Sequence, residues 1–358
     1  MINTNTNTEI DSFKLRIPYN KVEIIDEKLE GTKITYVVET DEILKEFKDN
    51  ALKFKDNGIS TRFAIEVMPT DNKGATKRYL TMLINAKLLK ERYFEGITKD
   101  NIEVVYNELM EYNVARFSLQ TFLEGFTTDT DFKTDVNCTL DEFEDMMQYF
   151  KFNARSSNQI GVGYQPFNKK TNKGLQFSVR ETKQFKTNPF LKIYRKEIEL
   201  EHKSKEFKDA YLKGQSIKGI SRFEYTLKNN QHYKAVGIKS NTLSHLLGLS
   251  DSVKKNILKE TINIHIDSSI KKMKVKEGMQ PMEMLLHNLI VMQMKQGMSF
   301  DKITDFALST FTDKVAKSRK KTQLNQIYNE YIKGTKRDVS TKNIDSIFSL
   351  IGVNNKVE

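Results

Sequence analysis

The sequence predicts an α/β (α+β) chain: a mixed sheet with flanking helices over residues 10–240, then an all-helical domain over residues 241–358, behind a polar leader at residues 1–9. Three observations carry this. Short alternating apolar and polar runs separated by turn residues fill the first two thirds, and from about Asn241 the apolar spacing becomes helical. The charge also changes sign: residues 1–150 hold 19 Lys and Arg against 28 Asp and Glu, residues 151–240 hold 20 against 7, and residues 241–358 hold 19 against 12.

In order, Ile10–Ile17 alternates as a strand and stops at Pro18, Thr32–Glu39 suits a second strand, and Asp41–Phe54 a helix with Asp41 as N-cap. Arg62–Met68 and Arg78–Asn85 read as a hairpin around the turn signal DNKG. Ala86–Phe94 and Lys99–Tyr112 follow as helices, and Val114–Leu123 as a strand with Arg116, Ser118 and Gln120 on one face. Leu140–Phe150 is an acidic helix started by Thr139 or Asp141. Gly161–Tyr164 and Leu175–Val179 are strand-like around NKKTNKG. Asn188–Tyr194 suits a strand, although Phe190, Leu191 and Ile193 also fit one buried helical turn. Glu197–Leu212 is a charged helix. Ile220–Leu227 alternates cleanly, placing Phe223, Tyr225 and Leu227 on one face and Arg222, Glu224 and Thr226 on the other. Five helices then follow, over Leu243–Leu249, Ser252–Ile264, Pro281–Met294, Phe300–Phe311 and Lys317–Ile332.

At 358 residues and 38% hydrophobic the chain can bury a substantial core. Cys138 is its one cysteine, which excludes an intrachain disulfide and a cysteine zinc cluster and suits a reducing cytoplasm. MINTNTNTEI lacks the basic and apolar regions of a secretion signal, and no run approaches the ~18 apolar residues of a membrane span. The formal charge of +11, concentrated after residue 150, attracts polyanions, nucleic acid rather than membrane; a solvated lysine-rich surface is the plain alternative. There is no GxxxxGK[ST] phosphate loop and no His-x-His pair, and IHID, with His265 and Asp267, reads as structural. MQPMEMLLHNLIVMQM reads as a packing helix, and KVAKSRKKTQLNQIYNEYIKG as a basic helix that either grips phosphates or is simply exposed.

The ordered segments IDSFKLRIP, RYLTMLINAKLL, VARFSLQTF, FLKIYRKEIELEHK and SRFEYTLKNN resemble the gene II/gene X replication-initiation proteins of filamentous phages and, more distantly, plasmid rolling-circle initiators, over roughly residues 10–250. That resemblance implies a mixed-sheet nuclease core of rolling-circle Rep type in the cytoplasm of a bacterial host. It implies an enzyme that nicks origin DNA through a tyrosine, keeps the 5′ phosphate, leaves a 3′ hydroxyl for polymerase and later rejoins the strand. Tyr194 matches the nucleophile, Lys196 its neighbouring lysine, and Glu199 and Glu224 the acidic positions, which would hold Mg²⁺ or Mn²⁺. Arg116, Arg180, Arg195 and Arg222 are the candidate DNA contacts. The implied partners are origin DNA, duplex and single-stranded, with a host helicase and polymerase. Ser118 stands where the family has Asp, and Glu124, six residues on, lies ~20 Å away along a strand. On pattern alone Tyr194 is an ordinary sheet residue, Glu224 with Arg222 a surface ion pair, and Glu199 part of a solvated helix face. A non-catalytic DNA-binding or regulatory protein is the alternative; an RNA-binding module fits less well, without a paired aromatic stacking motif.

Overall fold

The computed structural model describes residues 6–30, 33–34, 51–69, 76–154, 162–166, 173–179, 190–266, 280–295, 298, 300–329, 344 and 346–353. Its strands are β1 (Thr8–Pro18), β2 (Glu23–Ile24), β3 (Lys33–Ile34), β4 (Leu52–Asp56), β5 (Ile59–Pro69), β6 (Thr76–Asn85), β7 (Ala115–Arg116), β8 (Phe126–Asn137), β9 (Val162–Pro166), β10 (Gly174–Val179), β11 (Phe190–Arg195) and β12 (Ile220–Leu227). Its α-helices are α1 (Ile102–Glu111), α2 (Leu119–Glu124), α3 (Leu140–Asn153), α4 (Lys196–Lys203), α5 (Lys205–Tyr211), α6 (Asn230–Ala235), α7 (Leu243–Leu247), α8 (Asp251–His265), α9 (Pro281–Lys295), α10 (Phe300–Ser309) and α11 (Lys314–Ile327). The mixed α/β character read from the sequence is present.

One sheet of ten strands organises the molecule, in the order β3-β5-β6-β1-β8-β12-β11-β10-β9 with β4 on β5. All its pairings are antiparallel except β3 with β5. β1 is central because its alternation gives it two usable faces: Phe13, Leu15 and Ile17 are buried in the core, while Ser12, Lys14 and Arg16 take the opposite parity. β12 is buried along its whole length, with Phe223 and Tyr225 on the core side. α3 and α8 cover that side, Phe150 meeting the rings of Phe177 and Phe223, and Tyr225 Oη donating to the Lys254 carbonyl. Leu246, Leu258 and Ile262, from α7 and α8, belong to this same core. α9, α10 and α11 enclose a second small core of Ile290, Ile303, Leu308, Leu324 and Ile327. The Met-rich helix α9 buries Ile290 but exposes Met282, Met284, Leu285 and Leu289, so it packs along one side only. Among the described residues no helix is long and apolar enough to cross a membrane.

Several elements differ from the sequence reading. Residues 41–50 lie outside the described residues, and Leu52–Asp56, expected to end a helix, pairs as a strand with β5. Ala86–Glu95 is 3₁₀ and kinked at Lys90, whose φ of 54° breaks the α-helical run. The helix expected over Glu197–Leu212 is two, broken at Ser204. The strand expected over Val114–Leu123 is only Ala115–Arg116; Ser118 then caps α2, its hydroxyl accepting from the Thr121 amide at 3.1 Å. α3 starts at Thr139 through a full capping box with Glu142. β8 has no counterpart among the expected strands, yet it is the partner of both β1 and β12.

Candidate active site

The face of the sheet opposite the core is polar, and register decides who meets on it. On β11 and β12, Lys192 lies opposite Glu224 and Tyr194 opposite Arg222; on β8, Lys133 lies opposite Glu224 and Asp135 opposite Arg222. Directly opposed residues on one face are within side-chain reach. Tyr194 and Glu224, 30 residues apart in sequence, are joined by a hydrogen bond from the phenol to Oε2 at 2.9 Å. Lys192 donates to the other carboxylate oxygen of Glu224, and its Nζ lies 3.9 Å from Asp131 Oδ1. Asp131 in turn accepts from Ser12 Oγ at 2.9 Å and Thr226 Oγ1 at 2.5 Å. Tyr194 is 3% exposed and Glu224 4%, against 23% for the Lys192 side chain. Gly174, opposite Tyr194 on β10, keeps this corner tight: a Cβ there would lie 2.6 Å from Tyr194 Cβ and 2.8 Å from the Ile193 carbonyl oxygen.

Beside this group lies a second, closed one. Arg222 is fully buried, and its fork binds Asp135 through Nε at 2.7 Å and Nη2 at 2.9 Å, while Nη1 donates to Asp11 at 2.7 Å and to Tyr93 Oη at 2.9 Å. Lys133 adds a bond to Asp135 at 2.8 Å. Arg222, expected to hold DNA phosphate, instead directs its donors inside the protein, to Asp135, Asp11 and the Tyr93 hydroxyl. The paired-ion alternative for Glu224 and Arg222 also changes: Glu224 pairs with Lys192, and Arg222 with Asp135 and Asp11.

Arg195, also buried, donates to the Cys138 carbonyl at 2.8 Å, the Thr139 carbonyl at 3.3 Å and Glu197 at 2.5 Å, tying the end of β11 to the start of α3. These contacts point Arg195, an expected contact with DNA, into the protein. Lys196 Nζ sits 5.7 Å from the Tyr194 ring centroid and 5.2 Å from that of Tyr93, and pairs with Glu199 at 2.6 Å. Glu199 also accepts from Ser204 at 3.3 Å. The expected ligand pair of Glu199 and Glu224 is therefore divided, each carboxylate held by its own lysine. Arg116 is exposed on β7 opposite Glu23, in the two-stranded sheet apart from the main one. Arg180 lies outside the described residues. Sequence reasoning missed Lys192, Asp131, Asp135, Asp11 and Tyr93; Lys192 carried a signal, since it shares strand parity with Tyr194.

The electrostatics follow from burial and pairing. Burial pushes the Tyr194 phenol well above its usual range, and the charge of Glu224 adds to this. Burial and then the Glu224 charge push Asp131 up to about 7, against the opposing pull of Lys192. Burial alone would lower Lys192, but Glu224 and Asp131 more than offset it and hold the ammonium charged. Burial would raise Asp135, yet Arg222 and Lys133 overcome it and hold that carboxyl far below the ordinary range. Burial likewise opposes ionisation of Glu199, which Lys196 more than restores.

No family model and no curated protein matches this chain.

The residues beside Tyr194 can be tested for a divalent ion. Among the described residues no three His, Cys, Asp or Glu side chains group as a metal site. Two carboxylates suffice for Mg²⁺ when phosphate oxygens and water complete its shell. Asp131 and Glu224 are such a pair, and the Lys192 ammonium between them is a resident cation in that position. A divalent ion held there by Asp131 and Glu224, in place of the expected pair with Glu199, would have to displace Lys192 from between them.

Proposed function

We propose that this chain is a replication initiator that nicks and rejoins origin DNA through Tyr194. The single observation that carries the reading is the hydrogen bond from the Tyr194 phenol to Glu224, within a polar sheet face that also holds Lys192 and Asp131. Attack needs a nucleophile, a base and neutralisation of phosphate charge. The phenol proton passes to Glu224 as the tyrosyl oxygen bonds to phosphorus; the P–O3′ bond breaks, and the departing 3′ oxygen takes a proton from solvent. Resealing reverses these steps without ATP, since the phosphotyrosyl ester keeps the bond energy. Lys196, near the Tyr194 ring, favours the phenolate, and Lys192 offsets the negative charge of the two carboxylates when phosphate arrives. Asp131 and Glu224 would hold Mg²⁺ or Mn²⁺, which when bound polarises a non-bridging phosphate oxygen. The 3% exposure of Tyr194 requires the covering residues to move off the phenol before a strand can enter.

The remaining partners belong to the same reading: origin DNA in duplex and single-stranded form, a host helicase and polymerase, and the bacterial cytoplasm. The exposed α11 supports polyanion binding, since Lys314, Lys317, Arg319, Lys320 and Lys321 all lie at its surface. Incubation of the protein with supercoiled origin DNA and Mg²⁺ should yield nicked circles and a covalent adduct on a denaturing gel. Both should vanish in Tyr194→Phe, and adducts that persist in that variant sink the assignment. The burial of Tyr194 favours one second reading, a DNA-binding regulator without cleavage; it expects salt-sensitive DNA affinity, no adduct, and no effect of Glu224→Gln.

A further inference from the structure

On the same polar face, beyond Asp131, lies a cleft of about 600 Å³ whose walls include Arg16, Tyr79, Phe126, Thr128, Asn230 and Gln231. β1, β6 and β8 build it: Arg16 lies opposite Phe126 on one side and Thr81 on the other, and Tyr79 lies opposite Pro18. The start of α6 supplies the two amides. We propose that this cleft holds an unstacked nucleobase of single-stranded DNA. This rests on the reading of the chain as an origin-nicking protein and adds the site that grips the strand near the break.

The chemistry of the walls selects that ligand. Phe126 is 43% exposed, an unusual cost for a large aromatic in a central strand, and with Tyr79 it offers flat apolar surface to a base. Asn230 and Gln231 are exposed and present carboxamides, whose donor and acceptor match the edge of a base. Arg16 donates Nε to Glu66 at 3.1 Å, and the other end of its guanidinium fork suits a phosphate oxygen. The buried hydroxyl of Thr128 has no hydrogen-bond partner among the described residues. Thr128 and Asp131 pair with Lys14 and Ser12, two residues apart on β1 across the irregularity at Asp129, ~7 Å at ~3.3 Å per residue, so a strand seated here runs toward Lys192 and Glu224. A base within a duplex is already stacked and paired, which leaves a single strand as the occupant.

The test uses full-length Tyr194→Phe, which cannot form an adduct, and a short fluorescein-labelled single-stranded DNA followed by anisotropy. Phe126→Ala in that background should weaken binding about tenfold, within the range for loss of one stacked base, without changing the salt dependence or the melting temperature. Asn230→Ala with Gln231→Ala should weaken it further. Unchanged affinity in Phe126→Ala overturns the proposal, as does tighter binding of an RNA of the same sequence. Failure of the nicking assay with this Phe126 dependence intact removes the chemistry and leaves the cleft standing.

Discussion

Two cations on one sheet face, each between two carboxylates, have been put to different use. Arg222 sits between Asp135 and Asp11, and Lys192 between Glu224 and Asp131. The arginine fork makes two parallel bonds to Asp135, is covered by Tyr93, and is fully buried; every charge there is matched, and Asp135 is held firmly ionised. The lysine is a point charge on a flexible stem, partly exposed, and reaches Asp131 only at 3.9 Å. Asp131 is left undercompensated, and burial with the Glu224 charge pushes its pKa up to about 7. The arginine group also has Lys133 on Asp135, so two cations face two carboxylates there and one faces two here; that balance, with directional bonding and solvent access, gives a rivet at one end and a responsive group at the other.

The sharpest way to break this comparison is Arg222→Met. It leaves Asp11 without its arginine and Asp135 with Lys133 alone, and removal of one partner from a buried ion pair costs about 3–5 kcal/mol. Urea denaturation should show that loss, whereas Lys192→Met should cost much less; equal losses would erase the distinction. Gly174→Ala comes next. Its Cβ would press on Tyr194, and overpacking of this kind costs about 1–3 kcal/mol, read as a lower urea midpoint together with a changed tyrosine signal.

The smallest effect concerns pH. Asp131 has its native pKa raised to about 7, so the folded state binds a proton that the unfolded chain releases near pH 4. Its contribution to stability therefore falls as pH rises from about 4 to 7 and is level above that. Asp131→Asn should gain on the parent across that window, as measured by urea midpoints at stepped pH; a constant difference would place Asp131 among the rivets. Asp135 has the opposite sign, its contribution being lost only as pH falls below about 4.

β12 was legible because its alternation is strict: the assignment of Arg222 and Glu224 to one face and Phe223 and Tyr225 to the other stands. β11 was legible enough to bring Tyr194 forward. β8 was hidden by composition, since its core side carries Thr127, Thr130 and Thr134 beside Phe132 and Val136, and threonine does not register as apolar in a period-two pattern. Asp129, at φ 47°, and register shifts against β1 further blur the alternation. Asp131 of the Lys192 group, and Lys133 and Asp135 of the Arg222 group, went unseen with that strand. Around Ser118 local chemistry overrode the strand signal: a side chain that bonds the amide three residues on starts a helix. Arg222 misled for another reason, since charge in a sequence does not say which charges the fold will bring against it.

The central place of β1 sets a schedule for biosynthesis. The amide of Thr8 bonds to Asp251, 243 residues later, and Glu9 takes Lys254 from the same helix. β1 thus waits for a helix more than 240 residues later in the chain before its first residues are satisfied. Such high contact order slows folding and leaves strand edges exposed meanwhile. Production of the protein should therefore depend on chaperones and slow synthesis more than its native stability alone would suggest.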